Sequence, residues 1–368
     1  MSVNVLHIIT SLGEGGAQKI LKEICLNNKD LIHEVVCFKS GRFENEIKDR
    51  GVKVYFYNIK KNPIRTFISL FILINFKFKP NIIQTWMYHS DLIGCLLKLF
   101  WFRKDKYLFW NVRNGTLIKE SSSFLTRRIR NILSFLSFFS PNKIIYCSKS
   151  VKLIHESVGY NNTIGEVINN GVDTNFFHWY SRENRVESNY KIGFIGRFNK
   201  QKNLDTLFQS LSILKKENIQ FSLYLVGENL DYKNNKLKHS LKKADLINNT
   251  NLYGIKSDIR NILFKLDLLV LTSTSGEGFP NILLEAMSTG LRCISTDVGE
   301  SKCIINKFGW IIKPKDIESL VNAIKKSIYQ NQNQRIYFEK ESRNHVAKFY
   351  PKEIMIENYK RLYTNTIN

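Results

Sequence analysis

Two glutamates, Glu277 and Glu285, lie in the segment whose residue types are best suited to chemistry. The segment follows an apolar run, 268–271, that predicts a buried strand. Pro280 suits the first turn of a helix, where its missing N–H costs no hydrogen bond. We therefore predict a helix over 280–288, with Glu277 in the loop before it and Glu285 inside it. Free amides and the helix dipole favour a phosphate at such a helix start. Two solvated acids are the alternative interpretation.

Two cations form a second candidate cluster. Arg197 and Lys202 follow a predicted strand at 191–195, and Gly196 ends that strand. Arginine can contact phosphate oxygens with two parallel hydrogen bonds, while lysine supplies a compact charge. We expect both side chains to project from the sheet edge toward a ligand. A solvated basic loop is the alternative.

A glycine-containing loop is the third candidate. Gly15 and Gly16 lie just after the first predicted strand, 3–9. Glycines at this position let backbone amides approach an anion. The loop is not a complete G-x-G-x-x-G motif, and the second predicted strand, 34–38, ends without an acid for a ribose. The sequence therefore gives little support to a nicotinamide site, and a tight turn without a ligand is the alternative.

The elements that must position these residues alternate between strands and helices. Strands are predicted at 3–9, 34–38, 53–57, 82–85, 107–112, 143–147, 191–195, 222–226, 268–271, 292–296 and 309–312. Helices are predicted at 18–27, 91–99, 204–216, 259–264, 280–288, 317–330 and 353–363. This order predicts an α/β fold with doubly wound parallel sheets. In such sheets ligands bind beyond the carboxyl ends of the strands.

The 368-residue chain is long enough for two domains. A polar, aperiodic segment at 178–189 is the predicted linker. The predicted N-terminal domain is 1–177, and the predicted C-terminal domain is 190–350. The last segment, 351–368, is predicted to form a helix that returns to the N-terminal domain.

Composition excludes several classes of protein. The six cysteines form no C-x-x-C pair, which favours a reduced, cytoplasmic setting. The chain contains no D-x-D motif and no zinc-ligand spacing, so we expect no metal and no other cofactor. The net charge of +23 is spread over both halves without a nucleic-acid-recognition motif, so nucleic acid is not an expected partner. The most apolar stretch, 67–74, is too short to span a bilayer, and the first residues predict a strand rather than a signal peptide.

The three candidate clusters together resemble the retaining glycosyltransferases of family 4. That family has the GT-B fold, in which two Rossmann-like domains face a central cleft, and the resemblance covers nearly the whole chain. The most specific match is SGEGFPNILLEAM at 275–287. The other matching motifs are Gly15-Gly16-Ala17-Gln18, Asn170-Gly171-Val172-Asp173, Gly196-Arg197 with Lys202, and Val226-Gly227.

The resemblance implies a role for each matching position. Arg197 and Lys202 would neutralise the diphosphate of a nucleotide-sugar as it leaves, and Glu277 would lie near the reacting face of the sugar. Glu285 would bind ribose hydroxyls. The remaining expected donor-binding residues are Gly15, Gly16, Gly254, Gly278, Phe279, Pro280, Asn281 and Ile282. Fixed cations and helix amides stabilise the negative charge that develops on the leaving phosphate.

One position departs from the family pattern. Many relatives have a histidine after the strand predicted at 107–112, whereas this chain has Arg113 followed by Asn114. Arginine stays protonated and cannot act as a general base. Proton transfer to the leaving phosphate would need no enzyme base. His89 is the nearest polar candidate, and Arg113, Asn114 and His89 are the residues expected on the acceptor side. A histidine satisfied by a neighbour at a helix start is the alternative for His89.

The resemblance also suggests the substrates. We expect a UDP-sugar donor, carrying a hexose or an N-acetylhexosamine, in preference to GDP-mannose. The expected acceptor is a saccharide linked to polyprenyl diphosphate, in the synthesis of O antigen or capsule. Three alternatives remain open: a GT-B epimerase of sugar nucleotides, a phosphorylase, and a non-catalytic nucleotide-sugar-binding subunit.

Two segments of the N-terminal domain mix aromatic and basic residues. They are 96–106 and 124–139, and neither is long enough to span a bilayer. Aromatic side chains favour the headgroup region, and basic side chains attract anionic lipids. The segments therefore predict peripheral docking on the inner face of the cytoplasmic membrane. The alternative is that Phe100, Trp101 and 132–139 pack against the sheet.

Overall fold

The computed structural model of the protein describes residues 3–13, 15–117, 122–181 and 189–367. The chain folds into two compact units. The first contains the chain up to Gly171 and the residues from Lys352 onward, and the second runs from Val172 to Pro351. Each unit is a parallel sheet whose strands are joined by helices, as the alternation in the sequence predicts.

The first unit contains a seven-stranded sheet in the order β3-β2-β1-β4-β5-β6-β7. Its central strands are almost fully buried and mostly apolar, as expected for a sheet covered on both faces. The strands are β1 Asn4–Ile9, β2 Ile32–Cys37, β3 Lys53–Phe56, β4 Ile82–Trp86, β5 Tyr107–Val112, β6 Lys143–Tyr146 and β7 Gly165–Val167. The helices are α1 Gly16–Asn27, α2 Phe43–Lys48, α3 Pro63–Ile72, α4 Met87–Leu99, α5 Phe124–Leu136 and α6 Lys149–Glu156. A π-helical turn, Leu73–Lys77, extends α3.

The second unit contains a six-stranded sheet in the order β10-β9-β8-β11-β12-β13. Its strands are β8 Tyr190–Ile195, β9 Phe221–Val226, β10 Thr250–Leu252, β11 Leu268–Leu271, β12 Arg292–Thr296 and β13 Trp310–Ile312. Its helices are α7 Leu204–Lys216, α8 Asn235–Lys243, α9 Arg260–Lys265, α10 Asn281–Ser288, α11 Ser301–Ile305, α12 Ile317–Ile328 and α13 Gln332–Phe349. A short 3-10 turn, Ile247–Asn249, precedes β10.

The last helix, α14 (Lys352–Ile367), is part of the first unit. It buries the aromatic rings of Tyr359 and Tyr363 in the core of that unit. The hydroxyl of Tyr359 accepts a hydrogen bond from the Asn111 amide at 2.7 Å, and the hydroxyl of Tyr363 donates to the side-chain carbonyl of Gln84. These bonds satisfy polar groups that would be costly to bury alone.

The boundary between the units lies at Val172, ahead of the boundary predicted at residue 177 and the linker predicted at 178–189. Local hydrogen bonds explain the difference. The carbonyl of Phe177 accepts from the Ser288 hydroxyl at 2.7 Å, so this part of the chain is fixed to the second unit. Residues 182–188 of the predicted linker lie outside the described residues. None of the described helices combines the length and apolar character needed to cross a bilayer.

Candidate functional site

The three residues predicted to be catalytic lie together at the carboxyl ends of β8 and β11. The ammonium of Lys202 forms an ion pair with Oε1 of Glu277, and the hydroxyl of Ser273 donates to the same oxygen at 2.6 Å. The Lys202 and Glu277 side chains are only 16% and 12% exposed. Arg197 is exposed at the end of β8 and contributes its charge to the cluster.

The charges around Glu277 control its protonation. Burial alone would raise the pKa of the Glu277 carboxyl group. The ammonium of Lys202, the hydrogen bonds from Lys202 and Ser273, and the guanidinium of Arg197 outweigh burial and hold the pKa below its ordinary value. Glu277 is therefore a carboxylate at neutral pH, beside two cations.

Two hydrogen bonds join the loop after β8 to the loop after β11. The hydroxyl of Thr272 donates to the carbonyl of Lys202 at 2.9 Å. The amide of Thr274 donates to the carbonyl of Gln201 at 2.8 Å. Because both bonds end on backbone carbonyls of the loop after β8, the two loops that carry Lys202 and Glu277 are held against each other.

Two glycines permit close backbone contacts at this edge of the sheet. At Gly227, where φ is +134°, a Cβ atom would lie 1.9 Å from the carbonyl oxygen of Gly196. At Gly299, where φ is +61°, a Cβ atom would lie 2.0 Å from the carbonyl oxygen of Glu277. Both neighbours are backbone atoms, so a side chain at either position would displace the site.

The helix that follows Glu277 is α10, and it begins at Asn281, one residue after the predicted start. Pro280 has extended backbone angles and occupies the N-cap position. Proline has no side-chain acceptor, so it cannot cap the first-turn amides. Phe279 is buried with its ring against Tyr350, at a centroid distance of 5.7 Å. Glu285 lies on α10, as predicted, and is buried.

Gly254 lies at the same edge of the second unit's sheet, where its backbone is hydrogen-bonded to that of Gly227. The amide of Gly227 donates to the carbonyl of Gly254 at 2.8 Å, and the amide of Gly254 donates to the carbonyl of Leu230 at 2.9 Å. The backbone at Gly254 has a φ of +61°, a conformation that favours glycine. The predicted donor-binding residues Gly254, Gly278, Phe279 and Pro280 therefore lie in loops at the carboxyl ends of the strands, and Asn281, Ile282 and Glu285 lie on α10.

Gly15 and Gly16 lie in the first unit, at the start of α1. Gly15 is the N-cap and Gly16 the first helical residue. The loop before them is fixed by a hydrogen bond from the Leu12 amide to the Lys39 carbonyl at 3.2 Å. Their placement at a helix start agrees with the geometry from which an anion-binding role was predicted, and that role remains a prediction.

Arg113 lies just after β5 and is held by its neighbours in the first unit. Its guanidinium donates to the side-chain carbonyl of Asn111 at 3.1 Å and to that of Asn170. It also lies 5.6 Å from the centre of the Trp86 ring. These contacts orient the guanidinium within the unit.

The other two residues predicted on the acceptor side lie near a tyrosine–histidine pair. His89 is in the first turn of α4, where partial burial lowers its pKa, and Asn114 is beside Tyr88. The Tyr88 hydroxyl lies 2.6 Å from Nε2 of His155, whose Nδ1 lies 2.8 Å from the carbonyl of Val151. Only a protonated Nδ1 can donate to that carbonyl, so in neutral His155 the Nε2 atom accepts a hydrogen bond from the Tyr88 hydroxyl. The sequence did not indicate this pair.

Among the described residues, one group has the atom types and spacing to hold a metal ion. It consists of His7, Cys25 and His33, whose ligand atoms lie within 4.8 Å of one another in the core of the first unit. The two histidine rings already share a hydrogen bond of 3.0 Å, and Trp86 donates to the other nitrogen of His7 at 3.3 Å. The histidines are thus already engaged as core residues, and the expectation of a metal-free protein remains a prediction.

A cavity of about 510 Å³ opens at the opposite end of the second unit's sheet. It is lined by Tyr190, Gln220, Asp267 and Arg292, among others. None of the residues predicted to bind the donor lines it. In parallel sheets ligands bind at the carboxyl ends of the strands, so the Lys202–Glu277 cluster is the better candidate site.

Comparison with protein families finds a similarity over part of the chain. Residues 178–345 match the model of the family described as Glycosyl transferases group 1. The matched segment contains Arg197, Lys202, Glu277 and Glu285.

The relatives agree with the family match. A segment of 75 residues is 44% identical to an Escherichia coli UDP-Gal:alpha-D-GlcNAc-diphosphoundecaprenol alpha-1,3-galactosyltransferase and spans 20% of this chain and 19% of that one. The Staphylococcus aureus capsular polysaccharide biosynthesis glycosyltransferase CapM is 25% identical, over 74% of this chain and 81% of its own. The crystal structure of Anabaena HepE in complex with UDP-glucose matches with a TM-score of 0.85 at 17% identity, covering 98% of this chain and 99% of that one. The second unit is thus similar to group 1 glycosyltransferases over the matched segment, and the fold of the chain is the α/β GT-B fold with two Rossmann-like domains.

Proposed function

We propose that this protein transfers a hexose or N-acetylhexosamine from a UDP-sugar to a saccharide linked to polyprenyl diphosphate. The expected outcome is retention at the anomeric carbon, as in glycosyltransferase family 4. The observation that carries the proposal is the Lys202–Glu277 ion pair beside Arg197 at the strand ends, within the segment matched by the family.

The donor proposal follows from the chemistry of the leaving group. Breaking the bond between the sugar and the diphosphate leaves negative charge on the phosphate oxygens. Lys202 is a cation held by its ion pair, Arg197 adds a second positive charge, and the first-turn amides of α10 lack a side-chain cap from Pro280. Preorganised groups of this kind stabilise developing charge without reorganising during the reaction. The neighbour HepE was solved with UDP-glucose, which agrees with a UDP-sugar donor.

Glu277 and Glu285 have separate proposed roles. Glu277 is anionic, so it can accept hydrogen bonds from sugar hydroxyls and stabilise positive charge on the sugar ring in the transition state. Glu285 is buried on α10, about one turn after its first residue, where it would accept hydrogen bonds from ribose hydroxyls. Gly254, Gly278, Phe279, Asn281 and Ile282 would bind the base, sugar and phosphates through backbone and apolar contacts.

The acceptor proposal rests on the relatives and on the first unit. The Escherichia coli relative is named for a diphosphoundecaprenol-linked acceptor, and the Staphylococcus aureus relative is named for capsule synthesis. The names support a lipid-linked acceptor and a capsule context, and we propose a role in O antigen or capsule assembly at the inner face of the cytoplasmic membrane. Arg113 cannot accept the acceptor's proton, so we propose that the leaving phosphate accepts it. His89 and Asn114 would orient the acceptor hydroxyl.

The test is a transfer assay with the full chain. The protein is incubated with UDP-glucose, UDP-galactose or UDP-N-acetylglucosamine and with a synthetic lipid diphosphate carrying N-acetylglucosamine. We expect UDP release together with a disaccharide product whose new linkage is α, as seen by NMR. Glu277→Gln should abolish the product. An altered sugar nucleotide without UDP release would identify an epimerase instead, and no reaction with any donor would overturn the proposal.

A further inference from the structure

A row of exposed apolar side chains runs along α3 and its π-helical extension. Ile64, Ile68, Ile72 and Phe76 are spaced four residues apart, so they lie on one side of the helix. All four are exposed, and Ile64 is 75% exposed. Isolated exposed apolar residues are common in soluble proteins, whereas a continuous row marks an interaction surface.

The row continues into the segment that follows α4. The ring of Phe71 packs against Phe102 at 5.6 Å, and the Asn75 side chain bonds to the backbone of Phe100 and Phe102 at 2.9 Å each. Leu99 and Phe102 project outward and are 75% and 70% exposed. The end of α3 and the end of α4 are therefore one surface, held together by hydrogen bonds.

The end of α5 belongs to the same side of the sheet. Strands β3, β4, β5 and β6 follow one another in a single direction across the sheet, so right-handed crossovers place α3, α4 and α5 on one face. The ammonium of Lys98 bonds to the Ser140 carbonyl at 2.5 Å and connects α4 to the end of α5. Phe135, Phe138 and Phe139 are exposed there.

This arrangement corrects part of the sequence-based prediction. Trp101 is buried, as are Leu97 and Leu133, so these residues pack against the sheet. Lys106 donates to the carbonyl of Trp101 at 2.6 Å and is engaged within the unit. The exposed surface comes instead from the outer side chains of these segments and from α3, which the sequence did not indicate.

Exposed basic residues surround the apolar side chains. Arg65, Lys77, Lys79 and Lys104 are exposed or nearly so, and none forms an ion pair with another described residue. From 57 to 104 the only acidic residue is Asp91, which is fully buried. Asp105, next to Lys104, is exposed, so the four cations outnumber the one exposed acidic side chain of this segment.

We infer that this face of α3, α4 and α5, here called the docking face, binds an anionic lipid bilayer. This inference rests on the proposed function, because a lipid-linked acceptor lies in a membrane and the enzyme must reach it there. The exposed apolar side chains can insert at the edge of the acyl-chain region, and the basic side chains around them can contact anionic headgroups. A symmetric pair of copies would bring like charges of the two docking faces together, which disfavours self-association.

The test measures co-sedimentation of the full chain with vesicles of phosphatidylglycerol and phosphatidylcholine. One variant changes the cations Arg65, Lys77 and Lys104 to Ser, and another changes Leu99, Phe102 and Phe76 to Ser. The control changes Tyr329 and Tyr337, which are similarly exposed in the second unit, to Ser. We expect wild type and control to bind phosphatidylglycerol vesicles, less so at high salt. Vesicle affinity should fall roughly 100-fold in the charge variant and should also fall in the apolar variant.

Hydrolysis of the UDP-sugar without vesicles is measured in parallel, and it separates the two proposals. Loss of vesicle binding with unchanged hydrolysis in the two docking-face variants would support the inference. Wild type that hydrolyses the donor but stays in the supernatant with phosphatidylglycerol at low salt would overturn the inference and leave the proposed function intact. Equal vesicle binding by wild type and both variants would also overturn it. A concentration-dependent dimer that these variants abolish would assign the surface to a second copy instead.

Discussion

The Lys202–Glu277 ion pair is the residue-level feature on which the account depends. A partly buried pair of this kind is stabilising only while both charges are present, because removal of one leaves the other desolvated. Ser273 adds a hydrogen bond to the same carboxylate oxygen. The pair therefore holds a cation in place before any diphosphate arrives.

Replacement of Lys202 should reduce turnover far more than replacement of a neighbouring lysine. Lys202→Met removes a fixed cation from the leaving group, and we expect turnover to fall by roughly 10²–10³-fold. Lys200, which is exposed two residues away, provides the matched control as Lys200→Met. The measurement is the initial rate of UDP release at saturating donor. Similar rates in the two variants would show that position 202 has no special role.

The ionisation of Glu277 predicts how the free energy of unfolding depends on pH. Its pKa lies below the ordinary value of a glutamate, so the folded state is stabilised above the unfolded-state pKa, and that contribution is lost as the pH falls through the folded-state pKa. The difference in unfolding free energy between wild type and Glu277→Gln should therefore be largest near neutral pH and shrink in acid. Urea denaturation of both proteins across this range measures it. A difference that does not vary with pH would contradict the lowered pKa.

The site residues differ in how far the sequence could reveal them. The placement of Glu277, Lys202 and Arg197 near one another was predictable because each follows a recognisable strand and the ends of parallel strands meet at one edge of a sheet, while their roles stay predictions. Ser273, Thr272 and Gly299 were not predicted. Their importance comes from contacts with residues distant along the chain, and a local pattern carries no information on such contacts.

At the scale of elements, α13 shows where pattern-based prediction fails. Its 18 residues are mostly polar, and the buried ones include Glu339 and Ser342. Because the helix lacks a clear apolar stripe, periodicity did not indicate it. The short strands β7 and β10 have three residues each and were missed for a similar reason. By contrast α7, with its regular apolar spacing, was predicted at the correct bounds.

The contact between the β12–α11 loop and the β11–α10 loop gives an element-level prediction. Gly299→Ala should destabilise the second unit and reduce donor binding, because the new Cβ would overlap the Glu277 carbonyl. Gly51→Ala is the control, since Gly51 also has a positive φ, of +86°, but nothing lies within 4 Å of its Cβ position. Thermal denaturation should show a larger decrease for Gly299→Ala. Equal decreases would mean that backbone strain alone matters.

At the scale of the whole molecule, the two α/β sheets were predictable from the alternation of strands and helices. The observed boundary between the units, at Val172, precedes the predicted one at residue 177. Residues after Val172 are bonded to the second unit, as the Phe177–Ser288 hydrogen bond shows. Three buried histidines, by contrast, give the first unit a property that no motif indicated. Burial lowers the pKa of His7 well below its ordinary value and lowers those of His33 and His155 to about 4.

These histidines should make the first unit sensitive to mild acid. Each stays neutral when folded but binds a proton when unfolded, so stability is lost as the pH falls below the unfolded-state pKa of about 6.5. Between pH 7.5 and 5.5 the loss in unfolding free energy should be on the order of 1 kcal/mol for each histidine. Hydrogen exchange of the backbone amides of β1 and β2, corrected for the pH dependence of the intrinsic exchange rates, should measure this loss of stability. His155→Gln should reduce the pH dependence, and the exposed His239→Gln should not; an effect of the same size in both would contradict the explanation.

The most direct test of the central claim is calorimetric titration of the full chain with UDP and with UDP-glucose, in the presence of EDTA. We expect saturable binding of one nucleotide per chain, retained without divalent metal, unchanged by Lys200→Met and strongly weakened by Lys202→Met and by Arg197→Met. Absence of binding by the folded wild type, or equal binding by wild type and the Lys202→Met and Arg197→Met variants, would contradict the assignment of the donor site. Binding that disappears in EDTA and returns with Mg²⁺ would contradict the metal-free account.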